Sequence, residues 1–276
     1  MTADPGELGI YACPACKRLL RKEEAPQGES ILRCPACSQA YPIREGIPEF
    51  IFEELSQSKD PQLRRMTAID RMASIYESRL WYPIVLKIYG GLESPSLAQL
   101  IRIVVEKVQS TNGRVLDVAC GPGTYGRRAA SPSRTVFGID VSKGMLRQGT
   151  AYVAREGIPN MHFARARVEA LPFQACLFDA ALCCGSLHLF TDTVIALREM
   201  ARVMKPGAIL SVFTFTAGRG GILKFHRMRE WSRKKHGLHV FEIPEMERYL
   251  TASGFENFKP AVSGSIFTFS ARKRGG

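Results

Sequence analysis

Four cysteines in two short pairs form the strongest chemical pattern in the sequence. Cys13 and Cys16 enclose Pro-Ala, Cys34 and Cys37 enclose a second Pro-Ala, and 17 residues separate the pairs. Each pair at this spacing forms a tight turn whose two sulfurs can share one tetrahedral ion, and the residues between the pairs can form a hairpin. The pattern predicts a structural four-thiolate Zn²⁺ site rather than two redox dithiols, with no open position for a catalytic water.

A glycine-rich turn that follows an apolar run is the second pattern, in residues 115–124 (VLDVACGPGT). Gly121 and Gly123 let the backbone approach a ligand closely. Dinucleotide-binding turns have the spacing G-x-G-x-x-G for a pyrophosphate. Here Asp117 precedes G-P-G, and its carboxylate would repel a pyrophosphate but can help to recruit an aminoacyl group through water or backbone. The turn therefore predicts a cofactor that carries an amino acid.

Asp140 ends the next apolar run, about twenty residues after the turn, where an acid can accept hydrogen bonds from both hydroxyls of a ribose. Its other interpretation is the N-cap of the following helix, a role that Ser142 could take instead. The two acids and the glycines together predict a nucleoside-containing cofactor.

His188 lies in the loop GSLHL, after a fourth apolar run. A histidine titrates near neutral pH, so it could act as a general base. The alternative is a structural histidine that orients the cofactor or the loop. Cys120, Cys176, Cys183 and Cys184 are interpreted as plain buried cysteines.

Strands and helices alternate around these motifs. In residues 111–216 five β-branched runs alternate with helical patterns, which predicts an α/β fold with a parallel sheet covered on both faces. Right-handed crossovers then bring the loops after the strands to one edge, where ligands bind. Residues 241–274 indicate a helix and two more strands. The expected units are a cysteine-bearing segment (1–52), a helical linker or lid (53–110) and an α/β domain (111–276). A basic insertion (217–240) lies within the α/β domain.

The composition is ordinary for a globular protein, but the charge is not. Hydrophobic residues make up 45% of the 276 residues, and the formal net charge is +12. Such a surplus favours an anionic partner such as RNA, a membrane surface or an acidic substrate, or simply a soluble basic surface. The segment 218–236 adds seven Lys or Arg residues with apolar residues at helical spacing, which predicts an amphipathic lid helix.

No apolar run is long enough to span a membrane, and no signal peptide is apparent, so a cytoplasmic location is expected.

The first fifty residues resemble a family of small zinc ribbons whose free-standing members activate tRNA, rRNA and protein methyltransferases. The resemblance rests on CPACKRLL and on ILRCPACSQAYPIREGIPEFI. It implies that the ribbon is a folding and docking module. On this basis Cys34→Ser is expected to release the metal and loosen the N-terminus while sparing the rest of the chain.

The remaining motifs resemble the class I S-adenosylmethionine-dependent methyltransferases, and closely the subgroup of ubiquinone/menaquinone C-methyltransferases. The turn at 115–124, Asp140, ALPF at 170–173, FDA at 178–180 and LREMARVMKPG at 197–207 occur in the same order and spacing. The resemblance implies a Rossmann-like, doubly wound, mostly parallel sheet of seven strands. It also implies S-adenosylmethionine as cofactor.

The same resemblance implies a set of cofactor contacts. The turn would hold the methionine part, Asp140 with Val141 the ribose, and Cys184 with Gly185 the sulfonium side. The full set of expected cofactor-binding residues is Tyr76, Asp117, Ala119, Cys120, Gly121, Gly123, Asp140, Val141, Met145, Arg167, Val168, Cys184 and Gly185. Arg167 departs from the family, which usually has an acid there to accept from the adenine amino group, and Glu169 is a substitute acceptor.

Three functions remain open at this point. The first is a methyltransferase acting on a small, apolar or aromatic metabolite. The second is an rRNA or tRNA base methyltransferase that binds RNA through its ribbon and basic surface, since ribbon and domain together also resemble bacterial rRNA guanine-N1 methyltransferases. The third is a non-enzymatic protein that binds the cofactor or docks on a partner. The expected partners are a small-molecule acceptor, with RNA or a peripheral membrane contact as alternatives.

Overall fold

The computed structural model describes residues 9–24, 28–78, 81–218 and 220–275. The first eight residues of the cysteine-bearing segment and Arg219 of the basic insertion lie outside the described residues. Within those ranges, no helix combines the length and apolar character that crossing a bilayer requires.

Eleven strands make up two sheets in the described residues. The strands are β1 (Arg21–Glu24), β2 (Ser30–Arg33), β3 (Ala40–Arg44), β4 (Ile47–Pro48), β5 (Gly113–Val118), β6 (Arg134–Asp140), β7 (Met161–Arg165), β8 (Phe178–Cys184), β9 (Met204–Phe215), β10 (Phe255–Ser263) and β11 (Ile266–Lys273). The first four form a small antiparallel sheet beside the cysteine pairs. The other seven form one sheet in the order β10-β11-β9-β8-β5-β6-β7.

The large sheet is parallel from β9 to β7 and antiparallel at β10 and β11. The chain runs outward from β5 through β6 to β7 and then returns to place β8 on the other side of β5. The strand order therefore reverses at β5 and β8, where open α/β sheets bind ligands beyond the carboxyl ends of their strands. The predicted α/β fold with a mostly parallel seven-stranded sheet is confirmed.

The described helices are α1 (Pro61–Arg71), α2 (Trp81–Gly90), α3 (Leu97–Glu106), α4 (Gly126–Ala129), α5 (Lys143–Glu156), α6 (Thr193–Val203), α7 (His226–His236) and α8 (Ile243–Ala252). Short 3-10 turns lie at Leu55–Gln57, Val168–Ala170, Leu187–Leu189 and Ile222–Lys224. Local sequence explains several ends. Ser142 accepts from the Met145 N–H and begins α5, and Gly157, at φ 65°, ends it.

Both faces of the large sheet are buried. Leu116 and Val118 of β5 pack in one core cluster and Val115 in the other, as alternation along a strand requires. The first cluster also contains Tyr11 and Leu32 from the cysteine-bearing segment. That segment therefore shares a core with the α/β domain.

Backbone contacts join the small sheet to the edge strand β7. The Phe50 N–H donates to the Arg165 carbonyl at 2.8 Å, and the Ala12 N–H donates to the Pro172 carbonyl at 3.0 Å. The ring of Tyr11 stacks on Phe173 with 5.3 Å between centroids. The segment after β4 thus pairs with β7 at the edge of the large sheet.

Arg165 lies at this junction with only 1% of its surface exposed. Its guanidinium donates to the carbonyls of Val141 at 3.1 Å, Ile51 at 2.8 Å and Glu53 at 3.0 Å. Burial lowers the pKa of Arg165, and the nearby carboxylate of Glu49 opposes this shift. The buried guanidinium of Arg165 therefore joins the segment after the small sheet to the loop that follows β6.

Candidate functional site

A cavity opens at the carboxyl edge of the large sheet, beside the reversal point of the strand order. It encloses about 880 Å³ when the open solvent at its mouth is included. Its wall comes from the loops after β5, β6, β7 and β8, and from α1 on the opposite side. The wall residues are Gln62, Leu63, Met66, Tyr76, Ala119, Gly121, Ile139, Asp140, Val141, Ser142, Met145, Ala166, Val168, Glu169, Cys184, Gly185, Ser186, Leu189, Phe190 and Thr191.

The glycine-rich turn presents its backbone to this cavity. Gly121 has a φ of 54°, and Ala119 has a φ of 51° although it carries a Cβ. A non-glycine residue in the left-handed region costs conformational energy and often marks a functional turn. The Gly121 N–H donates to Oδ2 of Asp140 at 2.9 Å. The turn and the end of β6 are therefore held together.

Asp140 is fixed by backbone donors on both of its oxygens. Oδ1 accepts from the Ser142 N–H at 2.9 Å, while Oδ2 accepts from Gly121. Burial raises the pKa of Asp140 above its ordinary value, and these backbone hydrogen bonds oppose the shift. Because Ser142 caps α5, Asp140 is free of that role. The result is an oriented carboxyl group in the cavity wall.

The helical segment before β5 covers the cavity, and two of its acidic side chains bind groups of the α/β domain. Asp70 accepts from the Ser142 hydroxyl at 2.5 Å and from the Gly144 N–H at 2.8 Å. Glu77 accepts from Thr124 and forms an ion pair with the buried Arg127. These contacts hold Tyr76 in the cavity wall and anchor the helical segment to the glycine-rich turn and to α5.

The four paired cysteines converge in the described part of the small sheet. All four sulfurs lie within 4.8 Å of one another. Cys13 and Cys37 are 3.7 Å apart, and Cys16 and Cys34 are 3.3 Å apart. A tetrahedral zinc site with bonds of about 2.3 Å has sulfurs about 3.8 Å apart. The Tyr41 hydroxyl lies 3.2 Å from the Cys13 sulfur.

The comparisons with known proteins agree with this geometry. Residues 115–207 match the family described as a methyltransferase domain. An uncharacterised chloroplastic methyltransferase of Arabidopsis thaliana is 26% identical over 97% of this chain and 80% of its own length. This chain is an S-adenosylmethionine-dependent methyltransferase.

Two further similarities either cover a smaller part of the chain or concern only its fold. The ubiquinone/menaquinone biosynthesis C-methyltransferase of Pasteurella multocida is 37% identical, but over only 37% of this methyltransferase and 40% of that relative. Phosphoethanolamine N-methyltransferase 2 of Haemonchus contortus, solved in complex with S-adenosyl-L-methionine, has a TM-score of 0.62 at 16% identity, over 86% of this chain and 63% of that one. The second similarity concerns the fold alone.

Most of the residues expected to contact the cofactor lie together in the cavity wall of the methyltransferase. They are Tyr76, Ala119, Gly121, Asp140, Val141, Met145, Val168, Cys184 and Gly185. Four others lie outside the wall: Asp117, Cys120, Gly123 and Arg167. Cys120 and Gly123 still shape the turn, since the Gly123 N–H donates to the Cys120 carbonyl at 2.9 Å.

Asp117 is buried beneath the turn and not directed at a ligand. Its Oδ2 accepts from the Gly126 N–H at 3.0 Å, and only 1% of the residue is exposed. Burial raises the pKa of Asp117 to about 7, the hydrogen bond opposes the shift, and the charge of Asp140 adds to it. Its side chain faces the start of α4, and its expected help to an aminoacyl group through water or backbone stays a prediction.

The buried Asp117 predicts a pH-dependent stability. The folded chain binds this proton more tightly than the unfolded chain, so the contribution is full below pH 4 and is lost as pH rises through about 7. Across that interval the wild type should lose about 4 kcal/mol relative to Asp117→Asn, which cannot titrate. Urea unfolding of both proteins at pH 4 and pH 8 measures most of this difference. Parallel pH profiles would contradict the assignment.

The side chain of Arg167 lies outside the cavity wall, so it does not occupy the site of the acid that binds adenine in the family. Its guanidinium donates to Asp60 at 2.9 Å and approaches Glu169 at 3.4 Å. It therefore points towards α1, and Glu169 lies in the cavity wall instead. The acceptor that the family usually has at this position is thus available from the residue two places later.

The position of His188 does not support the predicted catalytic role. It is 4% exposed, lies outside the cavity wall, and places Nδ1 3.2 Å from the Thr214 hydroxyl. Burial, aided by the charge of His239, lowers the pKa of His188 to about 3. A neutral, enclosed imidazole that packs on Phe215 with 4.8 Å between ring centroids is the structural histidine of the alternative interpretation.

Sequence reasoning missed one side of the cavity. Gln62, Leu63 and Met66 of α1 form that side, and Leu189 and Phe190 follow the loop of His188. Leu63 and Met66, at i and i+3, are visible in the sequence as an apolar helix face. Nothing in that spacing says which cavity the face covers.

Proposed function

We propose that S-adenosylmethionine binds in the cavity at the carboxyl edge, with its ribose at Asp140 and its methionine part at the turn of Ala119 and Gly121. The oriented carboxyl of Asp140 is the observation that carries this proposal. An acid whose two oxygens are fixed by backbone N–H groups keeps lone pairs for hydroxyl donors. Met145 and Val168 supply apolar surface for the adenine, and Glu169 supplies an acceptor for its amino group.

When bound, the cofactor supplies a methyl group on a positively charged sulfur. The residues of the chain then have to orient the two reactants and exclude water, and these effects alone can account for a large share of the rate. Tyr76 and Cys184 border the part of the cavity that is next to Gly185. With His188 enclosed elsewhere, the site is arranged for positioning and not for general base catalysis.

We infer that the acceptor is a small, apolar or aromatic metabolite. The support is the apolar wall formed by Leu63, Met66, Leu189 and Phe190 next to the proposed reacting end. The similarity to a quinone C-methyltransferase is consistent with this class. Neither the family match nor the names of these relatives indicate RNA or a non-enzymatic role.

A transfer assay with radiolabelled cofactor tests the acceptor class. The purified protein is incubated with an organic-soluble small-molecule extract, with total RNA and with neither. Label is expected in the organic extract in a protein-dependent manner. Label in RNA would overturn the metabolite proposal, and no label in either fraction despite cofactor binding would favour the non-enzymatic alternative.

We propose further that the four cysteines bind a structural zinc ion. Four thiolates at these separations fit the donor set and size of such a site. Tyr41 would donate a hydrogen bond to the Cys13 thiolate, as residues around metal ligands commonly do. The ion would stabilise the small sheet, which has little core of its own.

Asp140→Asn tests the cofactor site directly. The substitution removes the charge that accepts from the ribose, and it should weaken adenosylhomocysteine binding about 10- to 100-fold, as expected for loss of a charge-assisted hydrogen bond. Asp117→Asn is the matched control, because it removes a neighbouring buried carboxyl that lies outside the cavity. Isothermal titration calorimetry on both variants gives the comparison. Equal affinities for the two variants would contradict the placement of the ribose.

A further inference from the structure

A second, more polar cavity adjoins the cofactor cavity. It encloses about 1180 Å³ including open solvent, and Gln62, Phe190 and Thr191 belong to the walls of both cavities. Its outer part is bordered by Arg65 of α1 and by Arg233 near the end of α7. A molecule that enters here would pass Phe190 to reach the proposed site of methyl transfer.

The carboxylates that line this outer cavity already have partners. Asp60 accepts from Arg167 and from the Thr191 hydroxyl, each at 2.9 Å. Asp192 accepts from the Ile195 N–H at 2.9 Å and begins α6. Glu245, behind the wall, accepts from Tyr249 at 3.0 Å and lies 3.1 Å from His239. The acids of this region are therefore largely satisfied within the protein.

The hydrogen-bond donors that line the same cavity are, by contrast, largely without partners in the described part of the chain. In the described part of the chain, Arg233 forms no ion pair or side-chain hydrogen bond, and Arg65 donates only to the side chain of Gln62 and, at 3.5 Å, to the Lys234 carbonyl. Nε2 of Gln62 is buried and has no hydrogen-bond partner among those residues. A buried donor without a partner is costly unless a ligand or water accepts from it.

We propose that the outer cavity is an acceptor subsite for an anionic oxygen group, a carboxylate or a phosphate, carried by the apolar molecule that the enzyme methylates. Arg233 and Arg65 bind the charged group, because planar guanidinium forks match the oxygens of such anions. Gln62 donates to an acceptor atom at the passage between the cavities. The apolar part then extends past Phe190. This inference rests on the proposed function and adds the charge of the substrate to it.

Three probes that share a naphthalene ring test the subsite by calorimetry on protein saturated with adenosylhomocysteine. 1-Naphthoate and 1-naphthyl phosphate are anionic, whereas 1-naphthamide is neutral. At least one anion should bind about 10-fold or more tightly than the amide, as a charge-assisted contact provides. The tighter of the two anions identifies the group, carboxylate or phosphate.

Arg233→Gln and Arg65→Gln should reduce the preference for the anions to about 3-fold or less. Arg227→Gln is the matched control on the same helix, exposed and outside both cavity walls, and should keep the preference. Equal binding of amide and anions, or a preference that survives the substitutions at 65 and 233, would overturn the subsite. The affinity for adenosylhomocysteine itself, measured on the same variants, should stay unchanged. A wild-type protein that does not bind adenosylhomocysteine would instead count against the proposed function.

Discussion

Arg165→Met should lower the free energy of unfolding by about 3–5 kcal/mol, the cost of removing one partner from a buried charged network. Methionine has similar length but cannot donate. The substitution would leave the carbonyls of Val141, Ile51 and Glu53 without their donors. It would also remove the guanidinium 3.9 Å from Glu49, which is only 8% exposed and would keep Arg44 at 3.1 Å. Urea denaturation measures the change.

Arg147→Met is the matched control for this prediction. Arg147 also joins the cysteine-bearing segment to the α/β domain, through Glu45 at 2.9 Å, but both side chains are about 60% exposed. An exposed pair of this kind contributes about 0–1 kcal/mol. Similar losses for the two arginines would show that burial of the Arg165 network does not determine the stability of the junction. Arg165→Lys should fall between the two, because one ammonium cannot reproduce the three-way contact.

Removal of the proposed zinc should have the largest effect of all. Structural zinc binding in small domains is worth about 10–16 kcal/mol, most of which becomes folding free energy. Cys34→Ser removes one of the four ligands and should abolish stoichiometric zinc, as measured by atomic emission. Because Tyr11 and Leu32 belong to the domain core, the damage should reach β7 and not stop at the small sheet. This differs from the expectation of a separable ribbon.

Hydrogen exchange distinguishes the two outcomes. In Cys34→Ser the amide of Phe50 and the amides of β7 should exchange faster, since Phe50 donates to the Arg165 carbonyl. Cys176→Ser is the control, because Cys176 lies outside the cluster and is exposed, contrary to the prediction that it is buried. A zinc-free wild type would contradict the metal proposal. Faster exchange confined to residues before 45 would instead restore the picture of an independent module.

Much of the fold could be predicted because its signals are local. The five β-branched runs of residues 111–216 required buried parallel strands, and the ends of those strands had to meet at one edge. That rule places the 119–121 turn and Asp140 at the same edge, and the family resemblance adds Cys184. The order of the motifs added the cofactor, and the family match over residues 115–207 agrees with it.

The errors concern side-chain direction and long-range packing. Spacing could not show that Asp117 points at Gly126 or that Arg167 turns towards Asp60, because each depends on a partner that is distant in sequence or in another element. His188 occupies the expected loop but faces Thr214. The shared core of the small sheet was equally hidden, since a cysteine pattern predicts a metal site and not its neighbours.

Crystals of the wild-type protein soaked with adenosylhomocysteine test the central claim most directly. The account predicts ligand density in the cavity bounded by Gly121 and Val168, with both ribose hydroxyls within hydrogen-bond distance of Asp140. An empty cavity at saturating ligand, or a ligand bound elsewhere on the chain, would contradict it.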